Sequence, residues 1–128
     1  MIFSEKQPPR AFEVGSGMKV RLKDCGDVKL EPNEQLTFTT EHGAEYDVAR
    51  KEWGFYATPS LNGRLISFGL RTVLVKNSLN KFYILLVEKG SEHAFYKYLN
   101  LEELEIVSWL DTDSALEIFE KKAKGKSL

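Results

Sequence analysis

The sequence has few of the residues from which metal and thiol chemistry is built. It contains one cysteine and two histidines among 128 residues. Cys25 has no second cysteine with which to form an internal disulfide, so an oxidising compartment offers no advantage and we predict a cytoplasmic protein. His42 and His93 lie far apart and lack the spacing of metal ligands, so we predict no metal site.

Long apolar runs and an excess of one charge are also missing. The longest apolar run, 82–87, is far shorter than the roughly 18 residues of a membrane-spanning helix, so we expect no membrane partner. The 18 basic and 19 acidic residues give a formal net charge of -1, which argues against nucleic acid as a partner. Gly15-Ser16-Gly17 is too short for a phosphate-binding loop and no nucleophile motif is present, so we predict no cofactor and favour a non-catalytic protein.

Most of the chain shows a hydrophobic period of two. Val20 and Leu22 alternate with charged neighbours, which is typical of a half-buried strand. The same pattern recurs at Leu36 and Phe38 and at Tyr46 and Val48, and it predicts two further strands. The pattern predicts a mainly β fold, an antiparallel β-sandwich or small barrel that could be jelly-roll-like, with one C-terminal α-helix. Because Pro8-Pro9 favours an extended chain, we expect residues 1–11 to be a flexible N-terminal arm and residues 12–128 to be a single domain.

Three segments give more specific expectations for strands. The run 82–87 is apolar on both faces and predicts a central strand. Residues 65–75 predict one long strand that bends at Gly69, after a hairpin turn at Asn62-Gly63. Residues 94–98 predict a further strand.

The C-terminal region is the only one that changes period. Ser114 and Glu117 fit a capping box, in which each side chain accepts a hydrogen bond from a free backbone amide. Leu116 and Phe119 then share one helical face, and Gly125 is a typical helix stop. The sequence therefore predicts a helix over about 114–124.

Aromatic and charged residues are concentrated in the segment 45–56 and in the residues that follow it. Four of the twelve residues in 45–56 are aromatic, against 12% for the whole chain. Rings beside arginine, aspartate and asparagine are typical of sugar sites and of protein interfaces, although they could also fill a core. The candidate ligand- or partner-binding residues are Tyr46, Asp47, Arg50, Trp53, Tyr56, Asn62 and Arg64.

Three functions follow from this cluster. The first is a non-catalytic domain that binds a partner protein or a polar small molecule through the 46–71 region. The second is a metal-free enzyme or accessory protein that acts on a carbohydrate or sugar nucleotide, with the same cluster supplying stacking, acid–base and phosphate-binding groups. The third is a structural subunit of a homo-oligomer, because small open sheets must cover their edges.

Overall fold

A computed structural model describes residues 1–125 of the chain and is mainly β, with 46% strand and 20% helix. The prediction of a single domain over 12–128 stays a prediction, and its last three residues lie outside the described residues. The elements, in chain order, are β1 (Ile2–Val14), β2 (Val20–Lys29), β3 (Gln35–Thr39), β4 (Glu45–Lys51), β5 (Gly54–Tyr56), α1 (Arg64–Ser67), β6 (Leu70–Lys76), β7 (Phe82–Glu88), α2 (Glu92–Leu101), β8 (Glu105–Trp109) and α3 (Asp113–Ala123).

The strands form three small antiparallel sheets. Strands β1 and β2 form the first sheet, the second has the order β3-β4-β5, and the third has the order β7-β6-β8. The prediction of antiparallel strands is confirmed. The alternative of a small barrel is wrong, because no sheet among the described residues closes on itself.

The first sheet includes the segment that was expected to be a flexible arm. Residues 2–14 form β1, in which Phe12 and Val14 lie opposite Leu22 and Val20. The register shifts between Glu5 and Arg10, the stretch that contains both prolines, because proline has no N–H to donate to the ladder.

The main core lies between the third sheet and α2. Val73 and Val75 of β6 are fully buried and pack with Val87 and with Leu99 of α2. The expectation that 82–87 is the central strand is wrong, because β6 is central and β7 lies at the edge with its first residues exposed. In this protein the run that is apolar on both faces therefore forms an edge strand of the third sheet.

Two predicted strands are helical. Residues 94–98 belong to α2, where Phe95 and Leu99 lie four residues apart on one helical face and pack against the sheet. The predicted strand 65–75 is also divided, because residues 64–67 form α1 and β6 begins only after Gly69. Gly69 has a φ of 93°, a left-handed conformation that changes the direction of the chain between the helix and the strand.

Helix α1 begins where a hairpin turn was expected. The Ser60 hydroxyl accepts a hydrogen bond from the Arg64 amide at 2.8 Å, so Asn62-Gly63 leads into a helix instead of joining two strands. Leu65 of α1 is fully buried and packs with Ala44 and Leu70 in a second, smaller core.

Helix α3 covers the predicted C-terminal helix but begins slightly earlier. Its N-cap is Thr112, whose hydroxyl accepts a hydrogen bond from the Ala115 amide at 3.2 Å. The Ser114 capping box is therefore replaced by a cap two residues before it. Ile118 and Phe119 of α3 are half exposed. None of the described helices is long and apolar enough to cross a membrane.

Candidate functional site

One face of the second sheet and the segment before α1 enclose a cleft of about 330 Å³, which we call the polar cleft. The register places Gln35, Ala49 and Tyr56 in one row across the three strands. Side chains two residues apart in a strand share a face, so Asp47 and Lys51 lie on the same side as Ala49. The residues that line the polar cleft are Gln35, Asp47, Ala49, Lys51, Tyr56, Pro59, Ser60 and Arg64.

The polar cleft brings together three of the seven residues that the sequence singled out. Asp47, Tyr56 and Arg64 line it, and Arg64 reaches it from α1, which lies between the second and third sheets in the chain. The side chain of Asp47 is only 14% exposed, and its Oδ2 atom lies 3.7 Å from the Arg64 guanidinium. This distance gives a loose ion pair, so the guanidinium can still bind a second anion.

Tyr46 and Arg50 lie away from the polar cleft. Adjacent residues in a strand point to opposite faces, so neither can share a face with Asp47. The Tyr46 ring lies 6.0 Å from the Phe38 ring and packs against the second core. The Arg50 guanidinium lies 5.9 Å from the Phe55 ring and donates a hydrogen bond to the Gly54 carbonyl at 3.5 Å.

Trp53 and Asn62 also lie outside the polar cleft. Trp53 occupies the turn between β4 and β5 and is 74% exposed, and Phe55 and Tyr56 next to it are more than half exposed. The Asn62 amide donates a hydrogen bond to Oδ1 of Asp113 at 2.7 Å. Asn62 therefore connects the start of α1 to the start of α3.

The charges that line the polar cleft are two cations and one carboxylate. Asp47 accepts a hydrogen bond from the Thr37 hydroxyl at 2.6 Å, which orients its carboxylate. The Lys51 ammonium donates to the Asn33 amide oxygen at 3.1 Å, and the Arg64 guanidinium lies 5.1 Å from the Phe68 ring. The polar cleft therefore carries an excess of positive charge next to the Tyr56 ring.

Sequence reasoning missed five of the residues that line the polar cleft, of which Gln35, Lys51 and Ser60 are polar. The first two carry a signal, because the same alternation that predicts β3 and β4 places them on one face with Asp47. Ser60 has no such signal, since its position depends on how the chain enters α1. Within residues 1–125 no group of three or more histidine, cysteine, aspartate or glutamate residues could hold a metal ion.

A second, apolar groove of about 570 Å³ lies between the first sheet and α2, in a region that the sequence did not indicate. Val20, Leu22 and Leu101 are among the residues that line it. Glu102 also lines it, and its carboxylate accepts hydrogen bonds from the Gly17 amide at 2.6 Å and from the Ser16 amide at 3.0 Å. These backbone donors hold the pKa of Glu102 below its ordinary value, so the carboxylate is charged where it fixes the hairpin to α2.

Comparison of the chain with protein-family models, with curated proteins and with solved structures gives no match. The interpretation of the site therefore rests on its geometry and charge.

Proposed function

We propose that the protein is a non-catalytic binding domain that recognises a partner protein through the β4–β5 turn and the polar cleft beside it. The observation that carries this proposal is the exposure of Trp53, which is 74% accessible in the β4–β5 turn, between Lys51 and Tyr56 of the positively charged cleft in the chain. Tryptophan, tyrosine and arginine are the residues most often found at the centres of protein interfaces.

The exposed rings would supply the apolar part of the contact. Trp53 is 74% exposed and Tyr56, which lines the polar cleft, is 51% exposed, whereas Phe55 lies on the opposite face of the sheet beside Arg50. Rings of this size bury a large area in an interface at a low cost in side-chain entropy. A partner that covered Trp53 would remove the largest exposed ring of this region from water.

The polar cleft would supply specificity. Lys51 and Arg64 outnumber Asp47, so an acidic side chain of the partner is the group that fits between them. Arg64 could bind such a carboxylate through two parallel hydrogen bonds, because its contact with Asp47 is loose. We therefore expect the partner to present a carboxylate next to an apolar surface.

The proposal is tested by capturing partners from a lysate of the source cells on the immobilised protein, followed by calorimetry with the purified partner. Trp53→Ser and Arg64→Gln should each weaken binding, the first by about 30-fold or more, as expected for an interface hot spot. Tyr96→Ser changes an aromatic residue that is 50% exposed on α2 and serves as the matched control. A partner that binds all three variants as tightly as the wild type would refute the proposal.

A second candidate is a small polar molecule with one anionic group, such as a sugar phosphate or a sugar nucleotide. It is favoured by the volume of the polar cleft, about 330 Å³, which lies at the lower end of small-molecule sites. A thermal-shift series with inorganic phosphate, a sugar phosphate and a sugar nucleotide tests it. A true ligand at a hundredfold excess over its Kd stabilises the protein by about 2.7 kcal/mol. Arg64→Gln should abolish that shift and Trp53→Ser should leave it, whereas both variants weaken a protein partner.

A further inference from the structure

Strand β7 is an edge of the third sheet, and in the described part of the chain it pairs on one side only, with β6. The backbone groups along its other side have no strand partner among residues 1–125. An edge of this kind is a template on which another strand can form hydrogen bonds.

Strand β7 has few of the usual devices that protect an edge, and its one charged residue, Glu88, is the last of the strand. Natural edge strands are short, bulged, interrupted by proline or charged. Strand β7 is seven residues long, its register with β6 runs without a shift, and residues 82–87 contain neither proline nor charge. The opposite edge, β8, has five residues, begins with Glu105 and shifts register against β6 between Leu74 and Val75. The two edges of one sheet therefore differ in how open they are to pairing.

The side chains at this edge are large, apolar and exposed. Phe82 is 58% exposed, Tyr83 45% and Ile84 54%. Because successive side chains in a strand point to opposite faces, exposed apolar groups lie on both faces of the sheet beside the open edge. A strand added to β7 would satisfy the backbone and cover these side chains at the same time.

The chain exposes more surface than a compact monomer of its mass. The accessible area of the chain is 9333 Å², whereas a folded monomer of this mass is expected to expose about 6,900 Å². The excess, roughly 2,400 Å², is larger than the area of about 800 Å² that each partner buries in a standard interface. This excess is large enough for an interface with a second copy at β7 that leaves the β4–β5 turn and the polar cleft free.

We infer that β7 pairs antiparallel with β7 of a second copy of this chain. The β7-β6-β8 sheets of the two copies then join into one six-stranded sheet. A twofold interface places the same strand against itself, and this requires a segment that does not repel its own copy. Residues 82–87 meet that condition because none of them is charged. The exposed rings and Ile84 of each copy are then covered by the β7 strand of the other.

Sedimentation of the full-length protein over a range of concentrations tests this inference. The wild type should sediment as a dimer with twice the 14.6 kDa chain mass. Ile84→Lys should raise the dimer dissociation constant at least about tenfold, because a twofold interface would then hold two lysines. Val107→Lys is the matched control, since Val107 is a 45% exposed apolar residue in the other edge strand of the same sheet. This control should remain a dimer.

Hydrogen exchange of the same samples shows whether β7 itself is the interface. In the wild-type dimer all β7 amides should be protected from exchange. In Ile84→Lys the β7 amides that point away from β6 should exchange rapidly, while the β6 amides stay protected. Protection of β6 also shows that the variant is folded. A wild type that remains monomeric, a dimer that survives Ile84→Lys, or a dimer with freely exchanging β7 amides would each overturn the inference. Trp53→Ser should leave the dimer intact, which separates this result from the test of partner recognition.

Discussion

Arg71 donates a hydrogen bond from its Nε atom to Oδ2 of Asp111 at 2.7 Å, and the Asp111 side chain is only 3% exposed. The guanidinium also lies 3.9 Å from the centre of the Trp109 ring and 3.4 Å from a carboxylate oxygen of Glu92. The hydrogen bond to Asp111 raises the pKa of Arg71 further, so this arginine always carries its charge. The pair joins β6 to the segment between β8 and α3.

Removing the cation of this pair should destabilise the protein strongly. Arg71→Met leaves the Asp111 carboxylate buried without its partner, and we expect the free energy of unfolding to fall by about 2–4 kcal/mol. Urea denaturation measures this loss. The double variant Arg71→Met/Asp111→Asn should lose less than the sum of the two single variants, because the second change removes the unpaired charge. Strict additivity would contradict the coupling.

The buried side chain of α1 should contribute strongly to the stability of the protein, although the helix is short. Leu65 is fully buried in the second core, so Leu65→Ala should lower the free energy of unfolding by about 2–5 kcal/mol through lost contacts and a cavity. Leu79→Ala is the control, because Leu79 is 76% exposed and its removal should change stability by less than about 0.5 kcal/mol. Equal losses in the two variants, measured by urea denaturation, would show that the second core contributes little.

Alternation indicated where several strands lie but not which side chains they bury, since Val20 and Leu22 of β2 are 47% and 44% exposed. Strands β3 and β4 occur where alternation indicated them, and β2 contains the alternating Val20 and Leu22 but continues to Lys29. The same reasoning failed for 94–98, where aromatic residues suit a strand but Phe95 and Leu99 pack on the sheet only from a helix. Short apolar segments are therefore decided by what they pack against, which depends on distant parts of the chain.

The site could be predicted in part for the same reason. Asp47 and Tyr56 lie in strands, and alternation places them on one face of the sheet and Tyr46 on the other. Arg64 reaches the polar cleft through α1, a helix that the sequence did not indicate. The contact between Ser16 and Glu102 joins residues 86 positions apart, so no local pattern reveals it.

The position of the α3 cap can be tested directly. Thr112 accepts the hydrogen bond from the Ala115 amide, so Thr112→Ala should lower the free energy of unfolding by about 0.5–2 kcal/mol. Ser114→Ala, the change that the capping-box prediction would make costly, should have a smaller effect. Thermal denaturation of the two variants under identical conditions decides between them. A larger loss for Ser114→Ala would place the cap where the sequence predicted it.

The contact between Glu102 and the first hairpin should make stability depend on pH. Hydrogen bonds from the Gly17 and Ser16 amides lower the pKa of Glu102 below its ordinary value of 4.5. A carboxylate whose pKa is lowered by folding stabilises the protein above its unfolded pKa, and this contribution is lost as the pH falls through the folded pKa. Wild type should therefore be more stable than Glu102→Gln near neutral pH, and the difference should shrink below about pH 4.5.

Urea midpoints of both proteins over a series of pH values measure this difference, and hydrogen exchange at the tip of the hairpin locates it. The Ser16 and Gly17 amides should exchange faster in Glu102→Gln than in wild type, because their acceptor has lost its charge. Glu103→Gln changes the neighbouring carboxylate and should leave the exchange of these two amides unaltered.

Gly17→Ala should release the hairpin by a different route, since an added Cβ would lie 1.9 Å from the Leu101 carbonyl oxygen. If the contact with α2 is one unit, combining Gly17→Ala with Glu102→Gln should cost less than the sum of the two single losses. Full additivity would instead mean that the two residues hold the hairpin independently.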